Sequence, residues 1–275
     1  MTLCKRNFIF GGMSDPIAPV PAVRVARRPF PPLPDPTRVP PLAVLVGLLV
    51  LRLGLLLVAV GGSFAVLNAA GSVAPRDTAV LWSNVWIVPV DLITLAVVAW
   101  LLRREGTSWK ALLGRFTGRD LAWSVPASLL FVVAFFGATF VGNLVAYGGP
   151  PPTSPSNMGP VPLWLGIWAI LLMPVTIALA EEVLYRGYLL ARVQSRFGQA
   201  MGFILVAAGF GLQHLVFAVG DGRAMLSRAL ALFLVGLAVQ AMYVWFRRLW
   251  PLVIGHWLLD AVFLGLPLLG LALAR

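Results

Sequence analysis

An all-α bundle of membrane-spanning helices is the fold class this sequence predicts, on three observations. Sixty per cent of the 275 residues are hydrophobic, 11% are charged, and the mean hydropathy is +0.91. Soluble domains do not reach that composition. Apolar windows long enough to cross ~30 Å of hydrocarbon recur along the chain. The alternation of apolar and polar residues that a membrane barrel needs is missing from the sequence. The expected architecture is a polytopic membrane helix bundle of about seven transmembrane helices, the length allowing six to eight.

Residues 1–40 stand apart. The opening MTLCKRNFIFGG has too short an apolar core for a signal peptide, and the Pro-rich, basic stretch that follows favours extended, unpacked chain. A disordered cytoplasmic tail is expected here. Spans are expected near 41–62, 79–102 and 121–147, with a mixed basic and apolar loop at 103–120 lying on the membrane surface. After a Pro-rich connection, further spans are expected near 161–190, 199–219, 225–246 and 249–272, which makes 161–272 the catalytic membrane bundle. The window at 161–190 is too long for one upright helix, and Pro267 is placed to break the last one. Cys4 is the single cysteine, so an intrachain disulfide and a Cys-based zinc site are both excluded.

The formal charge of +11 does not point to nucleic acid, because the basic residues lie between apolar spans, where they set topology. Fifteen Lys and Arg fall in the tail and in the 103–120, 191–198 and 247–248 segments, against four in the alternate segments. That asymmetry puts the N-terminus in the cytoplasm and the C-terminus outside. Arg52 and Arg186 are left over, and both lie inside spans.

Chemistry concentrates where the chain is most apolar. A titratable side chain in hydrocarbon costs roughly 2.5–3.5 kcal/mol by insertion scales. Yet both histidines of the chain, His214 and His256, and the adjacent acids Glu181 and Glu182 lie in such stretches. Neighbouring helical residues are about 100° apart, so Glu181 and Glu182 are expected to face different targets. Arg186 follows Glu182 by four residues and is expected to pair with it as scaffold, which leaves Glu181 free to face a cavity. Ala207, Ala208, Gly209 and Gly211 permit close helix packing ahead of Gln213 and His214. His256 and Asp260 are four apart, on one face, so the acid is able to hold the imidazole in orientation. A carboxylate and two imidazoles from three spans can activate water by general base catalysis or on a zinc ion. Neither the helical zinc-protease motif nor a Gly-x-Ser-x-Gly elbow is present.

These motifs, Glu181-Glu182-x-x-x-Arg186, Phe210-x-x-x-His214 and His256-x-x-x-Asp260, in that order on successive helices, resemble the CPBP family of intramembrane proteases. That family includes the type II CAAX prenyl endopeptidases and bacteriocin-processing or immunity proteins. Gly187-Tyr188-Leu189, Phe233, Gly236 and Leu249-Trp250-Pro251 agree with it, and the resemblance spans roughly 165–265. It implies that Glu181 is the general base with His214 as its partner, that His256 and residue 260 stabilise the oxyanion, and that Glu182 and Arg186 brace the helix. Asp260 departs from the Asn often found there. An ionised Asp cannot donate to an oxyanion, so Asp260 must be protonated, orient His256 or bind a metal. The cofactor expectation stays divided between none and a divalent metal such as zinc on Glu181, His214 and His256.

The function implied is an intramembrane endopeptidase of the inner membrane of a bacterium, cleaving a peptide or membrane-protein substrate near or within the bilayer. Two other classes remain open. One is a catalytically silent binding or immunity protein of the same fold. The other is an ion carrier relaying through Asp91, Arg52 and the glutamate pair.

Overall fold

The computed structural model describes residues 39–152 and 161–274. The expectations for the tail, Cys4 included, fall almost entirely outside the described residues. Among the described residues there is no strand, and six helical stretches are long and apolar enough to cross a membrane. The chain is an integral membrane helix bundle. Large apolar side chains cover its outer surface: Val58 is 76% exposed, Val133 68% and Phe140 67%. Such surface is matched by lipid and not by water.

Two long helices open the bundle, α1 (Leu42–Ala69) and α2 (Pro75–Arg104), packed along one another. Pro75 occupies the first turn of α2, where its missing N–H costs nothing. The short helix α3 (Trp109–Leu113) occupies the expected surface loop, and its Trp109, Leu112 and Leu113 pack onto the core. Helix α4 (Gly118–Tyr147) starts at a capping box in which Asp120 accepts from the backbone N–H of Thr117 at 2.7 Å.

The expected fourth and fifth spans are parts of one 56-residue stretch, Leu163–Ala218. It runs through α5 (Leu163–Leu171), α6 (Met173–Glu181), a π-helical segment (Glu182–Leu189) and α7 (Leu190–Phe197), then α8 (Gln199–Gln213) and a 3₁₀ turn (His214–Ala218). Gly198, at φ 81°, supplies the left-handed turn that folds α8 back on α7. The overlong window is resolved by Leu172 and Pro174, which break it between α5 and α6, and by its extension to Phe197. Helix α9 (Gly222–Phe246) packs against α4 and α8, and α10 (Trp250–Asp260) against α4 and α6. Pro267 does not end the last span. It lies in the first turn of α11 (Leu266–Leu273), directly after a π turn at Ala261–Gly265, and the stretch Trp250–Leu273 stays helical.

Close approaches carry the packing that brings the polar residues together. A Cβ on Gly211 would meet the backbone of Phe233 at 3.0 Å, and one on Gly236 the backbone of Ala207 at 3.1 Å. The small residues expected to admit a neighbouring helix do so on two sides: Ala207 and Gly211 face α9, and a Cβ on Gly209 would meet the carbonyl oxygen of Leu49 on α1 at 3.0 Å.

Contacts collect the basic loops at one end of the bundle. Arg196 donates to the carbonyl of Pro40, Arg192 pairs with Glu105, and Arg248 reaches both Asp120 and the carbonyl of Arg115. Arg76 lies near Gly220, in the short connection between the 3₁₀ turn and α9.

Candidate active site

Helix α6 ends at Glu181, and the π-helical segment that follows is buried at all eight of its residues. Widened helical turns of this kind are frequent at functional sites. Glu182 pairs with Arg186 at 3.1 Å, as the spacing predicts, and neither side chain is exposed. The Arg186 guanidinium also lies 4.5 Å from the ring centre of Phe210 on α8, a cation–π contact that ties the two motifs together.

The two glutamates were expected to diverge, and they converge. Glu182 Oε1 is 2.9 Å from His256 Nδ1, and Glu181 Oε2 is 3.8 Å from His256 Nε2. Two features overturn the simple helical-wheel argument. The helix widens at this point, so successive residues diverge by less than they do in an α-helix. The imidazole also offers a nitrogen to each carboxylate on different edges of its ring. Phe131 of α4 stacks on that ring at 5.2 Å and 24°, fixing its plane. Asp260, one turn beyond His256 and half-buried, brings Oδ2 to 3.5 Å from Nε2, which fulfils the one-face expectation for that pair.

Glu181 is not free, because the first two helices reach it. Arg52 of α1 donates from NH2 to Glu181 Oε1 at 3.0 Å and from Nε to Gln213 Oε1 at 2.7 Å, and its NH1 pairs with Asp91 of α2. Gln213 in turn donates to Glu181 Oε1 at 3.0 Å. Oε1 therefore accepts twice, while Oε2 has no hydrogen-bond partner among the described residues. Arg52, which the sequence placed only in the alternative relay with Asp91 and the glutamates, is part of this site. Its signal was present, since a cation inside an apolar span requires an anion. Asp91 pairs across to α1 and not with its own helix, where Ser83 and Asn84 bond to main-chain carbonyls.

His214 begins the 3₁₀ turn, with Nδ1 at 2.9 Å from the carbonyl of Phe210. A carbonyl only accepts, so Nδ1 carries the proton in this contact and Nε2 of the neutral ring is an acceptor. One cavity of about 370 Å³ is lined by Glu181, His214, His256, Asp260, Arg52 and Gln213, with mainly aromatic and aliphatic side chains completing its wall. All four candidate catalytic residues border that cavity although they come from three separate elements, α6, the 3₁₀ turn and α10.

The metal alternative fits less well. Among the described residues no group of three His, Cys, Asp or Glu is disposed to hold a metal ion. The donor set points the same way: Glu181 Oε1 is shared by a guanidinium and an amide, and His256 Nδ1 is held by Glu182. A cation at Glu181 would also lie beside Arg52.

Neither a curated protein nor a solved structure matches the chain. A family model does, over residues 162–262, described as type II CAAX prenyl endopeptidase Rce1-like. The matched segment contains the glutamate pair, Arg186, both histidines and Asp260, and excludes Arg52 and Asp91. Residues 162–262 are thus similar to the Rce1-like type II CAAX prenyl endopeptidases, which supports the CPBP resemblance that the three motifs carry.

Proposed function

We propose that this protein is an intramembrane endopeptidase in which Glu181 activates a water molecule against a peptide bond at or within the bilayer. One observation carries the proposal: Oε1 of Glu181 is saturated by Arg52 and Gln213, while Oε2 is unbonded beside His256 in the shared cavity. A carboxylate held by one oxygen and open at the other is shaped for general base work.

In the reaction, water gives one proton to Glu181 Oε2 and a second hydrogen bond to Nε2 of His214. Its oxygen bonds to the substrate carbonyl carbon, and the carbonyl electron pair moves to oxygen. With both ring nitrogens protonated, His256 donates Nδ1–H to Glu182 and offers Nε2–H to the oxyanion. Asp260, 3.5 Å from Nε2, orients that ring. This assigns Asp260 the orienting role among its three alternatives and removes the need for an Asn donor. The tetrahedral species then collapses, the C–N bond breaks, and the leaving amine takes the proton from Glu181. Glu182 and Arg186 brace the site, and no step passes through a metal.

The substrate is a peptide or membrane-protein segment able to enter the cavity from the bilayer. The membrane is the inner one of a bacterium, with the basic end of the bundle in the cytoplasm. Comparative proteomics of membrane fractions from cells carrying wild-type protein or Glu181→Gln tests the activity. Fragments that accumulate only with wild type support it. Identical fragment sets, with both proteins present at equal levels, reject it.

A further inference from the structure

We infer that Arg52, from outside the family-matched segment, is a positioning residue that decides which oxygen of Glu181 acts as the base and where it points. The inference rests on the proposed hydrolytic role of Glu181. Arg52 is 2% exposed, and its fork is fully committed: NH1 to Asp91, Nε to Gln213 and NH2 to Glu181. Gln213 closes the ring by donating to the same Glu181 oxygen. The amide orientation follows from chemistry, since a guanidinium only donates and a carboxylate only accepts. Tyr185 adds a donor 3.2 Å from Gln213 Oε1.

A carboxylate gripped at one oxygen by two donors cannot rotate without breaking both bonds. Rotation would carry Oε2 away from Nε2 of His256, 3.8 Å distant. Asp91 fixes the other side of the guanidinium, so α1 and α2, which contribute no candidate catalytic group, define the orientation of the base. A planar fork that reaches three partners at fixed angles is what Arg supplies and Lys does not. A misplacement of about 1 Å at a reacting group can cost on the order of 100-fold in rate.

The test separates positioning from simple stability. Arg52→Met alone leaves Asp91 buried and unpaired, so it can fail to fold. Arg52→Met combined with Asp91→Asn removes both charges and restores neutrality at that point. With a prenylated CAAX peptide carrying a fluorophore and quencher as the probe, the double variant should be folded, with kcat about 100-fold lower and KM little changed. Arg52→Lys should recover part of the rate. A second readout needs no turnover: the infrared difference spectrum of each protein against its own Glu181→Gln counterpart isolates the Glu181 carboxylate band. The band should shift when Arg52 is removed. An unshifted band, or wild-type kcat in the folded double variant, overturns the inference. A shifted band with a wild-type protein that cleaves neither this probe nor any membrane substrate keeps the Arg52 grip and rejects the protease reading instead.

Discussion

Glu182 Oε1 lies 2.9 Å from His256 Nδ1 and 3.1 Å from an Arg186 nitrogen, so a single carboxylate oxygen joins the π-helical segment to α10. None of its side chain is exposed. Replacing Glu182 with Leu leaves Arg186 buried without its anion, a change that costs on the order of 3–5 kcal/mol. Thermal unfolding in detergent should show a large drop in Tm for Glu182→Leu and little change for Glu181→Gln, whose amide can still accept from Arg52. Equal Tm values for Glu182→Leu and wild type would remove the bracing role.

Asp260 separates an orienting role from a proton-transfer role. An Asn side chain keeps a carbonyl oxygen beside the His256 ring and loses only the carboxylate charge, so the orienting contact weakens without vanishing. Cleavage by Asp260→Asn should therefore stay within about tenfold of wild type, a change of about 1.4 kcal/mol in the barrier. Asp260→Leu should fall further. Complete loss in the Asn variant would mean that the Asp260 carboxylate itself takes part in the chemistry.

Much of this was readable from the chain because hydrocarbon penalises polar side chains so strongly. The composition made the bundle, and the isolated acids and histidines marked the cavity. Glu182–Arg186 and His256–Asp260 were found because both pairs are local, set by the i,i+4 geometry of one helix. Arg52–Glu181 entered only through the ion-carrier alternative, because 129 positions separate the two and no local rule links them. The convergence of both glutamates on His256 was missed for a different reason. It depends on the α-to-π change after Glu181, which the apolar pattern does not encode. The fold-back at Gly198 was legible, because a loop was expected at 191–198 between two spans and α8 starts at Gln199.

Helix packing gives a paired prediction that involves no catalytic group. A Cβ at Gly142 of α4 would lie 2.5 Å from the carbonyl oxygen of Ser227 on α9, a backbone atom that cannot swing away. Gly47 of α1 would meet nothing within 4 Å. Gly142→Ala should destabilise by about 1–3 kcal/mol through overpacking. Gly47→Ala should be neutral or stabilising by up to about 1 kcal/mol, the ordinary helical preference of Ala over Gly. Denaturation of the two variants side by side decides it, and an equal loss at both sites would mean that α4 and α9 do not approach this closely in the membrane.

Topology follows from the way the loops are gathered. Trp250 at the start of α10 donates to the carbonyl of Gly114 at the basic end. A Cβ on Gly166, near the start of α5, would lie 3.0 Å from Ala272 near the other end of that last stretch. The final helical stretch therefore runs from the basic end of the bundle to the opposite one. Basic loops are retained in the cytoplasm, so a reporter fused after Arg275 should read as external, and one fused at the N-terminus as cytoplasmic. Moving positive charge is the sharper check. Reversing the bias, by neutralising Arg103, Arg104, Lys110, Arg115 and Arg119 while adding Lys to the 70–74 connection, should lower the external signal at the C-terminus. An external reading unchanged by that swap would show that these loops do not set the orientation.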